Sequence, residues 1–150
     1  MIRKARISDV KDIQKLIAQY AKQDLMLPRS LNELYENIRD YFVSETDGCI
    51  HGCAGLHVSW EDLAEIKSLA VSKQEQGKDI AQKLLAAALD EAKSLDIGRV
   101  FALTYIPEFF KKYGFKIIDK SELPHKIWSE CIHCVKFPDC DETPLLIKLW

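Results

Sequence analysis

The stretch with the clearest chemistry runs from a strand-like segment through a glycine turn into a helix. Ile66 to Val71 is apolar and favours a strand, and Ser72 to Gln76 is a short polar turn. After Gly77, leucines and alanines recur at helical spacing, so one helix face is apolar. A helix that starts in this way points unpaired backbone N–H groups at an anion. The sequence therefore indicates a phosphate-bearing ligand over Gly77 to Ala81; the alternative is an ordinary strand-to-helix connection.

A second group of chemistry-bearing residues is a cysteine cluster late in the chain. Three closely spaced thiolates could bind zinc if a histidine completed a tetrahedral set. The residues concerned are Cys131, Cys134 and Cys140, with His125 or His133 as the fourth ligand. A metal- or redox-responsive module is the function that such a cluster would support. A single C-x-x-C pair is a weak metal signal, so we expect thiols in a structured tail and no bound metal.

Composition favours one ordinary globular domain. The 150 residues are 47% hydrophobic and 29% charged, and a net charge of −2 without a basic block argues against a nucleic-acid partner. The first residues lack the apolar run of a signal peptide, and no apolar segment approaches the ~20 residues that span a bilayer. We therefore expect a cytoplasmic protein without a membrane partner, whose cysteines stay reduced.

The elements that must position the glycine turn follow an α+β pattern. Periodicity, capping residues and turn signals predict the order β-α-α-β-β-β-α-β-α-β-β around a mixed sheet. Ser30 with Glu33 is a capping box at the start of the second helix. The predicted helices cover residues 10 to about 22, 31–38, the segment between Gly77 and Gly98, and 107–113. The predicted strands cover residues 1–7, 41–44, 49–60, 66–71, 99–104, 115–118 and 145–150.

Three segments together resemble the GNAT family of N-acetyltransferases. Gln76-Gly77-Lys78-Asp79-Ile80-Ala81 is similar to the family's acetyl-CoA pyrophosphate loop, Q/R-x-x-G-x-G/A, with Asp79 in place of the inner glycine. The preceding AEIKSLAVS is similar to the central strand, and PEFFKKYGF to the F-Y-x-x-x-G-F-type helix and turn. Their order and spacing extend the resemblance over almost the whole chain. It implies a GNAT-like mixed central sheet flanked by about four helices, in a single N-acetyltransferase domain over residues 1–150.

Longer segments resemble a narrower branch, the acetyltransferases of the N-acetylglutamate synthase type. They are LPRSLNELYENIRDYFV, AEIKSLAV, LTYIPEFFKKYGF and LPHKIWSECIHC. The resemblance implies transfer of an acetyl group from acetyl-CoA to the α-amino group of an amino acid, with glutamate as the expected acceptor, at the start of arginine biosynthesis. Many such proteins carry an amino-acid-kinase-like domain before the acetyltransferase. We expect a stand-alone form without the arginine inhibition site associated with that domain.

The resemblance assigns catalytic and cofactor roles to particular residues. Glu65 matches the family's strand glutamate and would take the ammonium proton as general base; the alternative is a surface ion-pair partner. Phe110 stands where many members have the tyrosine that protonates the thiolate, which leaves Tyr105 and Tyr113 as candidates, or no side chain at all. The resemblance also implies cofactor-binding residues. The backbone of Leu69, Ala70 and Val71 would hold the pantetheine and the oxyanion. The diphosphate would lie at Gln76, Gly77, Lys78, Asp79, Ile80 and Ala81, and Pro107 and Phe110 would also contact the cofactor.

A glutamate acceptor needs at least two cationic or strong donor groups, because it carries two carboxylates. Arg29 lies in a loop after Pro28, and its guanidinium matches a carboxylate in a bidentate way. Lys67 and Lys126 are candidates for the second carboxylate; each of these three cations could instead be a solvated surface charge. Another small amine, a protein amine, or a degenerate protein that binds CoA without turnover stay open as alternatives. The expected partners are a small-molecule amine and, since family members often pair through C-terminal strands, a second copy in a homodimer.

Overall fold

A computed structural model describes residues 1–123 and 142–150. In this part of the chain the strands are β1 (Ile2–Lys4), β2 (Tyr41–Thr46), β3 (Cys49–Trp60), β4 (Leu63–Val71), β5 (Arg99–Thr104), β6 (Lys116–Ile117) and β7 (Thr143–Lys148). The helices are α1 (Val10–Ala21), α2 (Leu31–Glu36), α3 (Ile80–Ser94) and α4 (Pro107–Lys112). Their order along the chain is the predicted one, and it confirms the α+β fold class.

All of these strands belong to one sheet, in the order β1-β2-β3-β4-β5-β7-β6. The neighbouring strands β4 and β5 are parallel, because α3 forms the crossover between them, and the other pairs are antiparallel. The β4–β5 pairing joins Leu63–Ile66 to Arg99–Ala102 and stops there. Beyond it, Lys67 to Val71 pair with β3 on one side only within the described residues. The two central strands therefore diverge and leave the backbone edge of β4 open.

Helices cover both faces of this sheet. On one face, α1 and α2 bury a cluster that includes Ile13, Ile17, Leu34, Val43, Cys53 and Ala70. On the other face, α3 and α4 bury a cluster that includes Ala64, Ile66, Leu85, Ala88, Val100 and Phe110. The end of β4 is thus enclosed between a helix layer on each side.

Local sequence signals explain where the helices begin and how closely they pack. Ser30 accepts a hydrogen bond from the Glu33 amide at 3.1 Å and caps α2, as predicted. The carboxylate of Glu33 binds Arg29 instead of completing the predicted capping box. Gly52 lies under α3, where a Cβ atom would stand only 2.9 Å from Cδ1 of Leu84. Glycine at this position lets α3 approach the sheet closely, which fixes the start of α3 beside the end of β4.

Candidate active site

The turn between β4 and α3 exposes a row of backbone N–H groups. After Val71, a 3-10 turn over Lys73–Glu75 leads to Gly77, which has a φ of +88°. Asp79 follows with a φ of 61°, and α3 begins at Ile80. Within the described part of the chain, no backbone carbonyl accepts a hydrogen bond from the amides of Gly77 or Asp79. The first amides of α3 also lack partners inside the helix, so the turn offers the donors that a bound phosphate needs.

Asp79 occupies a backbone conformation that most residues avoid. Its φ of 61° and ψ of 21° are left-handed, a region in which aspartate and asparagine are enriched and glycine has no steric cost. Aspartate can therefore stand where the resemblance places a glycine. Its side chain is exposed and makes no capping hydrogen bond, so the substitution adds a carboxylate to the turn.

A cavity of about 210 Å³ lies between this turn and α4. Of the predicted cofactor-binding residues, it is lined by Val71, Gln76, Gly77, Asp79, Ile80 and Ala81. Its other lining residues are Glu75, Gln82, Phe109, Lys112 and Tyr113. Leu69, Ala70, Lys78, Pro107 and Phe110 do not line it. The predicted loop and one of the predicted tyrosines thus share a single cavity.

The two phenylalanines of α4 point in different directions. Phe110 is 3% exposed and packs in the core, with its ring centroid 5.1 Å from that of Phe115. Phe109 lines the cavity and lies edge-on to Tyr113 with the ring centroids 5.1 Å apart. The sequence prediction puts Phe110 beside the cofactor. In the structure Phe110 instead packs α4 against the core, and Phe109 faces the cavity.

The two tyrosines proposed as acids also differ in position. Tyr113 lines the cavity and is half-buried. Tyr105 directly follows β5, is half-buried, and does not line the cavity. Both lie near the divergence of the central strands, and the choice between them stays a prediction.

The side chains of Gln76 and Lys78 have protein partners. Nε2 of Gln76 donates to the hydroxyl of Tyr20 at 2.7 Å, and that hydroxyl donates to the carbonyl of Val71. This set of contacts, which we call the Tyr20 clasp, joins the turn to α1 and to the end of β4. Nζ of Lys78 pairs with the carboxylate of Glu75 at 2.9 Å. Both side chains therefore stabilise the conformation of the turn, and its backbone N–H groups are the hydrogen-bond donors available to an anion.

Glu65 lies on the sheet face covered by α1 and α2, because Ala64 and Ile66 on either side of it pack under α3. Only 9% of Glu65 is exposed. Its Oε1 lies 3.9 Å from Nζ of Lys67, and the register places His57 of β3 directly beside it. Glu65 is thus a buried carboxylate next to a cation, at the level where β4 and β5 begin to diverge.

A bulge in β4 brings further polar groups to the same face. The β3–β4 register shifts between Cys53 and Gly55, and opposite this shift Ser68 has a φ of 57°. The hydroxyl of Ser68 accepts hydrogen bonds from Nε of Arg29 at 3.3 Å and from the Tyr41 hydroxyl at 3.2 Å. Burial raises the pKa of Tyr41 to about 12, so its hydroxyl keeps the proton that it donates. The bulge re-aims the backbone that follows it and links that backbone to Arg29.

The guanidinium of Arg29 is largely enclosed but remains charged. Its Nη1 lies 2.9 Å from Oε2 of Glu33. Burial opposes its charge, yet the negative charges of Glu33 and Glu65 and the hydrogen bond to Glu33 outweigh burial and raise the pKa of Arg29. Within the described residues, its contacts use Nε and Nη1, so Nη2 keeps donors for a bound carboxylate.

Several polar residues of this region were not predicted from the sequence: Tyr20, Tyr41, Ser68, Glu75, Gln82 and Lys112. Tyr20 and Tyr41 carry no motif, since each is an ordinary residue on its own element, and Lys112 lies within PEFFKKYGF but has no role assigned by the resemblance. Ser68 carries a faint signal, as a small polar residue inside an otherwise apolar strand.

Some predictions fall outside the described residues, namely those for His125, Lys126, Cys131, His133, Cys134 and Cys140. In residues 1–123 and 142–150, no group of three or more potential metal ligands comes together. No helix in those same ranges has the length and apolarity required to span a membrane.

Comparison with known proteins identifies the family. Residues 7–115 match the model of the acetyltransferase (GNAT) family. The chain belongs to the GNAT acetyltransferases. This membership, together with the fold, confirms the prediction of an N-acetyltransferase that uses acetyl-CoA as co-substrate.

Individual relatives cover the chain almost completely. An uncharacterized N-acetyltransferase of Chlorobaculum tepidum is 37% identical over 148 residues, which are 99% of this chain and 96% of the relative. An amino-acid acetyltransferase of Mycobacterium tuberculosis is 35% identical over 133 residues, 87% of this chain and 76% of the relative. The solved N-acetylglutamate synthase of Neisseria gonorrhoeae, complexed with coenzyme A and N-acetyl-glutamate, superimposes with a TM-score of 0.90 and 31% identity. That match covers 100% of this chain but 35% of the Neisseria protein.

Proposed function

We propose that this GNAT protein transfers the acetyl group of acetyl-CoA to the α-amino group of an amino acid, and that glutamate is its acceptor. Two comparisons support this proposal. A relative of similar length is named an amino-acid acetyltransferase, and a solved relative is an N-acetylglutamate synthase complexed with coenzyme A and N-acetyl-glutamate. The product would then be N-acetylglutamate, which enters arginine biosynthesis. We also propose that residues 1–150 act as a single acetyltransferase domain.

The observation that carries the proposal is the grouping of Arg29, Glu65 and Lys67 on one sheet face. Glu65 and Lys67 approach to 3.9 Å, and the charge of Glu65 acts on Arg29. An amino acid presents a carboxylate and an ammonium group side by side. The guanidinium of Arg29 could bind the carboxylate with two parallel hydrogen bonds. Glu65 could pair with the ammonium group and accept its proton. Lys67 is then the group available for a second carboxylate, which favours glutamate over neutral amino acids.

The path from the cavity to Glu65 follows β4. Val71 borders the cavity and Glu65 lies six positions earlier on the same strand, a span of roughly 20 Å at about 3.3 Å per residue. The open edge of β4 between them suits an extended, amide-containing arm, because an unpaired strand edge offers both donors and acceptors. The diphosphate of acetyl-CoA would bind the turn at Gly77 to Ala81, and its thioester would reach the bulge after Ser68.

The chemistry then needs few side chains. Glu65 would accept the ammonium proton, directly or through water, and the neutral amine would attack the thioester carbonyl. Backbone amides of Leu69 to Val71 would stabilise the oxyanion while the new C–N bond forms. The C–S bond then breaks, and the thiolate takes a proton from Tyr105, Tyr113 or water, while the nitrogen of the new amide loses its second proton to water. A thiolate is a good leaving group, so this last proton contributes least to the rate.

An acetyl-CoA turnover screen against free amino acids tests the proposal. Release of the CoA thiol should be fastest with glutamate, and neutral amino acids should be poor substrates. Arg29→Lys should raise the KM for glutamate by about ten-fold or more while the KM for acetyl-CoA changes little, because lysine cannot copy a bidentate contact. Arg39→Lys is the matched control, since Arg39 is an exposed arginine close by in sequence.

Three results would contradict the assignment at different levels. Turnover of a polyamine or a peptide amine with none of glutamate would contradict glutamate as the acceptor but not the acetyltransferase activity. Tight CoA binding without turnover of any amine would favour a degenerate protein that binds CoA without catalysis. An equal effect of Arg29→Lys and Arg39→Lys would show that Arg29 does not bind the acceptor.

A further inference from the structure

The cavity at the glycine turn has an unusual balance of charge for a site that must take phosphate. Two carboxylates line it, those of Glu75 and Asp79. The nearby Lys78 is paired with Glu75 at 2.9 Å and does not line the cavity. Among the lining residues in the described chain, Lys112 is the single cation. It comes from α4, on the opposite wall from the turn.

The packing of α4 explains why Lys112 reaches this wall. Phe110 anchors the helix in the core, which turns Phe109 and Tyr113 to the cavity. Lys112 lies three positions after Phe109 and next to Tyr113, on the same side, and its Nζ is 5.8 Å from the Tyr113 ring centroid. The neighbouring Lys111 instead pairs with Glu108 at 3.2 Å and does not line the cavity.

We propose that Lys112 supplies the cationic contact to the diphosphate of acetyl-CoA and offsets the charge that Asp79 introduces into the turn. The backbone amides of the turn hold the diphosphate on one side, and Lys112 closes on it from α4. This assignment explains how a turn with a carboxylate in place of a glycine still accepts an anion. It rests on the use of acetyl-CoA and is independent of which amine is acetylated.

Binding of CoA to purified protein, measured by calorimetry without any acceptor amine, tests this proposal. Lys112→Gln should weaken CoA binding by about ten-fold or more, as expected for loss of a charged hydrogen bond, and Lys112→Arg should restore most of it. Lys111→Gln is the matched control and should leave CoA binding unchanged. Dephospho-CoA should lose affinity in Lys112→Gln by the same factor as CoA, because the contact is to the diphosphate and not to the 3′-phosphate.

Asp79→Asn is a second variant for the same binding experiment, since asparagine also tolerates the left-handed conformation and the substitution removes only the charge. It should tighten CoA binding, and combined with Lys112→Gln it should bring the dissociation constant back to within about three-fold of the unmodified protein. Equal CoA binding by Lys112→Gln and Lys111→Gln would overturn the proposal. An unchanged affinity of Lys112→Gln for dephospho-CoA would overturn the assignment to the diphosphate. Neither result depends on glutamate turnover, so failure of the acceptor assignment remains distinguishable.

Discussion

Among single residues, Glu65 has the most demanding role in the proposed reaction. It is a nearly buried carboxylate, and a neighbouring ammonium group lies 3.9 Å away. A buried charge is tolerated only where partners compensate it, so this position favours a functional carboxylate over an incidental one. An ammonium group that approached this carboxylate could pass its proton to it.

Glu65→Gln should lower kcat by roughly 10²–10⁴-fold and change the affinity for acetyl-CoA little, because the amide keeps the shape but cannot accept the proton. The acidic limb of the pH–rate profile should change as well. Steady-state kinetics across pH, together with calorimetry of CoA binding, measure both effects. Glu61→Gln, at an exposed position shortly before it, is the control. Wild-type turnover by Glu65→Gln at every pH would show that another group, or water alone, takes the proton.

At the scale of elements, the Tyr20 clasp connects α1 to the cofactor turn. The hydroxyl of Tyr20 accepts from Gln76 and donates to Val71, so α1 is held against both ends of the 3-10 turn between them. The turn has positive φ at Gly77 and Asp79 and few other contacts, so it depends on such links to stay in one conformation.

Tyr20→Phe should weaken CoA binding by roughly five-fold, the equivalent of about 1 kcal/mol for one lost hydrogen-bonding hydroxyl. The KM for the acceptor at saturating acetyl-CoA should not change, because Tyr20 does not contact the acceptor side. Calorimetry and initial-rate kinetics provide the two readouts. Tyr35→Phe serves as the control, since Tyr35 is 39% exposed. A larger effect on acceptor KM than on CoA affinity would place Tyr20 in a different role.

Element boundaries were predictable where the sequence has strong stop signals. β3 and β5 have the predicted ends, because Asp47-Gly48 sets the hairpin before β3 and Gly98 precedes β5. The start of β4 was predicted three residues late, at Ile66 instead of Leu63. Glu65, a charged residue buried in the strand, interrupts the apolar pattern there and is the reason for the error.

The strand, glycine turn and helix around Gly77 were predictable from the sequence, whereas the residues that surround the turn were not. Strand, glycine and helix periodicity are local properties, so they can be read from consecutive residues. The bulge at Ser68, the clasp at Tyr20 and the cavity position of Lys112 depend on contacts between distant segments. Nothing in the spacing around Phe109 and Phe110 distinguishes the buried ring from the one at the cavity, because a helix of six residues has too few turns to define its phase.

Across the whole molecule, the two faces of the sheet carry different parts of the proposed site. Glu65 and Lys67, the proposed acceptor-side residues of β4, lie on the face covered by α1 and α2, whereas the cavity at the turn lies beside α3 and α4. The divergence of β4 from β5 is the passage between these two sides. Correct placement of α1 therefore matters to both, since it covers the acceptor face and carries Tyr20 to the turn.

An ion-pair network at the start of the chain fixes where α1 begins. Arg3 of β1 donates from Nη1 and Nη2 to the two carboxylate oxygens of Asp9 at 2.8 and 3.1 Å, and from Nε to Glu45 of β2 at 2.6 Å. The Arg6 amide also donates to Asp9 at 2.7 Å. Asp9 is 5% exposed and directly precedes α1, so this network ties the helix to the edge of the sheet.

Asp9→Asn should destabilise the fold by about 2–4 kcal/mol at neutral pH, because Arg3 loses a charged bidentate partner in a largely buried site.

Hydrogen bonds from Arg3 lower the pKa of Asp9 from its ordinary value of 3.8. The stabilisation is therefore complete above that ordinary value and is lost as the pH falls through the lowered one. The difference in unfolding free energy between wild type and Asp9→Asn should accordingly stay nearly constant above pH 3.8 and shrink as the pH is lowered below it, as measured by urea titration at each pH. Asp12→Asn, at an exposed position in the first turn of α1, should stay within about 0.5 kcal/mol of wild type. A difference for Asp9→Asn that does not vary with pH would mean that Asp9 stabilises the fold through shape and neutral hydrogen bonds rather than through its charge.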